Sequence, residues 1–131
     1  MRLHHVGIAV RDLEAAKARY ALLGYVLEAE GEVPAQGVRV AMLAAKEGSP
    51  RIELLTPTGP ETPVGRFLEK RGEGLHHLAF AVTDVAAALA GFKAQGLPLV
   101  DEAPRPGFGG HLVAFLHPKA FFGTLVELVQ E

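Results

Sequence analysis

The chain has 131 residues, no cysteine and a formal net charge of −2, so a disulfide framework, a thiolate metal site and a cysteine nucleophile are all excluded. A pI near 6.3 argues against a nucleic-acid partner, because such platforms carry a basic excess. No apolar run approaches the roughly 20 residues that span a bilayer, and Met1-Arg2-Leu3-His4-His5 lacks the apolar segment of a secretory signal, so a single compact domain in the cytoplasm, with no membrane partner, is expected.

Residues 3–10 are aliphatic and β-branched and read as a strand. Asp12 is placed to cap a helix in which Leu13, Ala16, Tyr20 and Leu23 recur at helical spacing, with Gly24 as its terminating glycine. Tyr25–Glu30 reads as a short strand, Gly31–Gln36 with its Pro34 as a loop, and Gly37–Ala45 as a strand. A turn at Lys46–Pro50 and a strand at Arg51–Thr56 complete a βαβββ order. In the connector, Thr62-Pro63 reads as a cap followed by a first-turn proline and Gly72 as the stop, which predicts a helix over 63–71.

The same order then returns. Strand 75–82 leads to Asp84 and a helix bearing Val85, Ala88, Leu89 and Phe92, closed by Gly96. Leu97–Asp101 reads as a short strand, Glu102–Gly110 as a loop, His111–Leu116 as a strand, His117-Pro118-Lys119 as a turn and Gly123–Val129 as the last strand. A shift of 72 residues superposes Leu3, His4, His5, Ala9, Val10, Asp12, Ala15, Ala16, Ala18 and Gly24 on identical residues. Two copies of one supersecondary unit follow: module one at 1–57, a connector at 58–74 and module two at 75–131, together one α+β domain.

Strand alternation separates the paired histidines. His4 shares a face with Val6, Ile8 and Val10, the greasy side that a helix should cover, and His76 does so with Leu78, Phe80 and Val82. His5 and His77 fall on the other face, beside Gly7 and Ala9 or Ala79 and Ala81, where an open side is expected. The last strand of each module carries a glutamate inside an apolar run, Glu53 and Glu127. A carboxylate in such a place is costly unless it is paired or binds a metal. His5, Glu53, His77 and Glu127 therefore form a two-His, two-Glu set suited to a divalent ion such as Co, Mn, Ni, Zn or Mg.

With these residues in place, the chain resembles the vicinal oxygen chelate superfamily of glyoxalases, bleomycin-resistance proteins and dioxygenases. Val33-Pro34-Ala35-Gln36-Gly37-Val38, Ile52-Glu53-Leu54-Leu55-Thr56-Pro57, Phe67 to His77 and Phe115-Leu116-His117-Pro118-Lys119 are similar to the methylmalonyl-CoA epimerase family within it. The resemblance implies a glyoxalase-like fold of curled mixed sheets around a central metal site, commonly as a homodimer, and an acyl-CoA substrate. It implies metal ligands at His5, His77 and Glu127, and at Glu53, where the family has Gln or Glu. Some of these epimerases carry a glutamate at the position of Val40, and Ala120-Phe121-Phe122-Gly123 replaces a smaller, glycine-rich stretch.

The reaction so implied removes a proton from C2 of the thioester and returns one from the other face. Glu127 is the first candidate for the general base, and Glu53 and a metal-bound water are the candidates for the opposite face. Gln36, Arg105 and Lys119 are candidate substrate-binding residues; Arg105-Pro106-Gly107-Phe108-Gly109-Gly110 could present backbone N–H groups, and Lys119 a point charge, to a CoA phosphate. A glyoxalase I acting on a glutathione hemithioacetal would use the same four ligands, and a metal-free drug-binding protein of the same fold is the non-enzymatic alternative.

Overall fold

The computed structural model describes residues 1–48 and 50–131. The turn expected at Lys46–Pro50 includes Ser49, which lies outside the described residues. In chain order the elements are β1 (Arg2–Ala9), α1 (Leu13–Ala21), β2 (Val26–Val33), β3 (Val38–Ala44), β4 (Arg51–Pro57), α2 (Pro63–Arg71), β5 (Gly74–Val82), α3 (Val85–Ala94), β6 (Arg105–Pro106), β7 (Leu112–Leu116) and β8 (Val126–Gln130). The paired βαβββ order and the α+β class are therefore those anticipated from the repeat. No helix among the described residues is long and apolar enough to cross a membrane.

The chain forms two compact units, one of Met1–His4 with His77–Glu131 and one of His5–His76. β1 thus starts in one unit and finishes in the other. Within the second unit, β2 pairs antiparallel with β3, β3 antiparallel with β4, and β4 parallel with β1. The first unit repeats the pattern: β5 runs parallel to β8, β8 pairs antiparallel with β7, and β7 antiparallel with β6.

Local chemistry explains the helices. Asp12 and Asp84 each accept from the backbone N–H three residues on, Ala15 and Ala87, both at 3.0 Å. Thr62 does the same for Gly65 at 3.0 Å. Each such bond satisfies a donor that the first helical turn leaves without an intrahelical partner. The apolar face of α1 closes over Ala41, Leu43 and Leu54 through Leu13, Ala16 and Tyr20, joined by Ile8 of β1. That of α3 closes over Ala114, Leu116, Val126 and Leu128 through Val85, Leu89 and Phe92. In both units, the strand face predicted to lie under a helix does so.

Five segments differ from the sequence reading. Helix α1 stops at Ala21 with Leu22 as its cap, so Leu23 is exposed rather than packed, and Gly24 takes its left-handed φ of 89° one residue later than a terminating glycine would. Strand β2 runs on through Gly31–Val33, where a loop was expected, because Glu32 and Val33 pair with Arg39 and Val38. Pro34–Gln36 then forms a 3₁₀ turn that Gly37 closes at φ 66°, ψ 38°, and a Cβ there would come within 2.5 Å of Thr62 Cγ2. Residues 97–101 are not a strand: Leu99 forms an isolated bridge with Leu116. The expected loop 102–110 instead holds β6 and a 3₁₀ turn at Phe108–Gly110. β8 also starts later than Gly123, since Phe122 and Gly123 both have positive φ.

Candidate metal centre

The two modules place their histidine and glutamate by the same register. In β1 and β4, Gly7 lies opposite Glu53, and His5 precedes Gly7 by two positions on the same face. In β5 and β8, Ala79 lies opposite Glu127, and His77 precedes Ala79 by two. A small residue across from each carboxylate leaves room for the imidazole to reach it diagonally. His5 Nε2 is 3.7 Å from Glu53 Oε1, and His77 Nε2 is 3.2 Å from Glu127 Oε1.

All four side chains are buried, at 2% (His5), 6% (Glu53), 4% (His77) and 6% (Glu127) exposure. The face expected to be open is thus closed in. On β5 it is filled by Ala79 with Val113 and Val129, a small apolar cluster on the side away from α3. Beside Glu53 the partners are Met42 on β3 and Leu55 on its own strand, both buried. A carboxylate and an imidazole held among hydrocarbon are an expensive arrangement without strong electrostatic compensation.

The donor set fits a divalent ion. Metal–nitrogen and metal–oxygen bonds of about 2.0–2.2 Å put neighbouring ligand atoms about 3–4 Å apart, the range of the two His–Glu separations. Imidazole and carboxylate donors without sulfur suit Mn, Co, Ni, Zn or Mg better than a soft ion. The first histidine of each pair does a different job: His76 sits edge-on to Phe67, ring centroids 4.9 Å apart, and His4 Nε2 lies 3.3 Å from a Glu131 carboxylate oxygen.

Arg105 sits in β6, where its Nε donates to Asp101 Oδ2 at 3.2 Å and its guanidinium lies 5.2 Å above the Phe115 ring. Phe115 pairs with Glu127 across β7 and β8 and presents its ring edge-on to His77 at 6.0 Å. Arg105 is thereby tied to the His77–Glu127 pair through one aromatic ring. The sequence did not single out Asp101 or Phe115 as site residues; an aspartate four residues before an arginine was the available signal. The loop after Arg105 presents fewer amides than expected, since the Gly107 N–H donates to the His111 carbonyl and the Gly110 N–H to the Gly107 carbonyl. Lys119 is exposed on the 3₁₀ turn Pro118–Phe121, and Gln36 is half-buried in the turn before β3.

Residues 4–115 match the family described as the glyoxalase/bleomycin resistance protein/dioxygenase superfamily. The ethylmalonyl-CoA/methylmalonyl-CoA epimerase of Cereibacter sphaeroides is 43% identical over 132 residues, 98% of this chain and 97% of that one. The crystal structure of methylmalonyl-CoA epimerase from Mycobacterium tuberculosis is similar at a TM-score of 0.94 and 39% identity, over 98% of this chain and 87% of that one. A methylmalonyl-CoA epimerase in complex with methylmalonyl-CoA and NH4+ is similar at 0.92 and 39%, over 99% and 94%.

Proposed function

The chain belongs to the glyoxalase/bleomycin resistance protein/dioxygenase superfamily, and from that premise we propose that it is a metal-dependent epimerase interconverting the C2 epimers of methylmalonyl-CoA. The observation that carries this reading is the pair of buried His–Glu contacts set in identical register, His5 with Glu53 and His77 with Glu127. Relatives that are epimerases of this acyl-CoA, at about 40% identity over nearly the whole chain, support the substrate. His5 with Glu53, and His77 with Glu127, supply buried imidazole and carboxylate donors suited to a divalent ion. A homodimer acting in the cytoplasm completes the reading.

A bound divalent ion supplies Lewis-acid stabilisation of the charge that develops on the thioester oxygen when C2 loses its proton. The chain's own residues supply the rest. Glu127 takes the C2 proton: its carboxylate lies beside Phe115 and Val129, whose hydrocarbon keeps water from a carbanionic centre. Its register partner is the small residue Ala79. For the proton returned to the other face, Glu53 is the candidate that this chain offers. Val40 is buried hydrocarbon and holds no proton to give, so the glutamate that some epimerases carry at that position has no counterpart here. Gln36, Arg105 and Lys119 are the substrate-binding candidates, with Arg105 already oriented by Asp101 and Phe115.

The test is deuterium uptake at C2 of methylmalonyl-CoA in heavy water, with and without added Co(II), beside turnover of a glutathione hemithioacetal. Metal-stimulated exchange on the CoA ester alone is expected. Glu127→Gln should lower the exchange rate by about 10²–10⁴-fold, the usual worth of a positioned general base. Near-normal exchange in that variant would overturn the assignment of the base, and hemithioacetal turnover without C2 exchange would overturn the substrate.

A further inference from the structure

The connection between β7 and β8 carries an exposed aromatic that neither the core nor the proton chemistry uses. Phe122 is fully exposed, at 101% of its reference surface, and sits at φ 57°, ψ 41°. That is the left-handed region, which glycine takes freely and an L side chain does not. Among the described residues no other non-glycine has a positive φ. The strain is not repaid inside the fold, for it is Phe121 that packs, with its ring 6.5 Å from Phe92 and against the core beneath α3. A bulky ring held outward in a conformation that suits glycine points to an external ligand.

The surroundings say which kind. Residues 103–126 contain Arg105, His111, His117 and Lys119 but no aspartate or glutamate. Lys119 is exposed three residues before Phe122, so this stretch carries both an exposed aromatic ring and an exposed ammonium. Glu127 is the second residue of β8, so the connection adjoins the strand end that carries it. Glu127 lies five positions after Phe122, at most about 17 Å of extended chain, a span that the flexible pantetheine arm of CoA can bridge.

We propose that Phe122 and Lys119 form a subsite for the 3′-phosphoadenosine end of acyl-CoA, with the Phe122 ring stacked on adenine and the Lys119 ammonium against a phosphate. The proposal rests on the acyl-CoA reading above. Phe122→Gly removes the ring and suits the backbone, so the variant should melt no lower than wild type. It should bind propionyl-CoA about tenfold more weakly by calorimetry, the order of one base stacked on an aromatic. The preference of kcat/KM for methylmalonyl-CoA over methylmalonyl-pantetheine should narrow by the same factor. Lys119→Ala should weaken propionyl-CoA binding and flatten its salt dependence. If glycine loosens the turn, Phe122→Asn, which also tolerates the conformation, makes the same comparison. Unchanged propionyl-CoA binding overturns the subsite, as does an equal loss for the CoA and pantetheine esters, which would put the ring on the arm instead. Failure of wild-type protein to exchange C2 of either ester would instead sink the epimerase reading, with calorimetry still deciding the subsite.

Discussion

Asp101→Ala should cost this protein more than any surface aspartate has a right to. One oxygen, Asp101 Oδ2, accepts from the backbone N–H of Phe115 at 2.8 Å and from Arg105 Nε at 3.2 Å. A backbone amide bonded to a charged carboxylate contributes about 1.5–3 kcal/mol, and its loss strands the donor on a buried strand. The Arg105 pair adds less than about 1 kcal/mol, since that side chain is 39% exposed and water screens it. The loss is then about 2–4 kcal/mol. For a chain of 131 residues, an unfolding entropy of about 2.1 cal/mol/K per residue converts each kcal/mol into about 3–4 °C of Tm. Calorimetry should therefore record a fall of about 7–14 °C. Asp101→Asn keeps the size and one acceptor oxygen, so it should lose about half as much. Because the same carboxylate steers Arg105 over Phe115, and Phe115 borders His77 and Glu127, divalent-ion affinity should fall with stability. A Tm change in Asp101→Ala below about 3 °C would refute the reasoning, as the lost amide bond alone exceeds it.

Three further substitutions test the frame around the site. A Cβ on Gly65 would lie 2.5 Å from the Gly59 carbonyl oxygen and 2.8 Å from that of Pro60, both backbone atoms. Gly65→Ala should therefore lower stability by about 1–2 kcal/mol by overpacking, although helix propensity alone favours alanine; a rise in Tm on thermal denaturation would show that the loop yields. Asp12→Ala and Asp84→Ala should each cost about 1 kcal/mol, and the double variant about 2, because each cap serves a helix within its own unit. A urea titration showing one cap to be worth several times the other would contradict the equivalence of their 3.0 Å bonds.

Much of this could be read from the residues because it is local. Asp12, Thr62 and Asp84 cap helices within three residues of themselves, and the period of two along β1 and β5 separates His5 and His77 from His4 and His76 whatever surrounds them. The duplication carried the rest, since a histidine and a glutamate at matched positions in both copies are hard to ascribe to chance. What alternation could not say was whether the chosen face is open or buried, because that depends on Val113, Val129, Met42 and Leu55 from other strands. Residues 97–101 misled for a related reason: a hydrophobic run predicts an extended segment, but Phe115 gives its N–H to the Asp101 side chain and its carbonyl to the Val100 and Asp101 amides, leaving no regular ladder. The left-handed turn of Phe122 was equally hidden, since the residue type argues against it. Composition and periodicity determine which side chains share a face, whereas only tertiary structure decides what lies across from that face, because burial and electrostatic compensation come from residues distant in sequence.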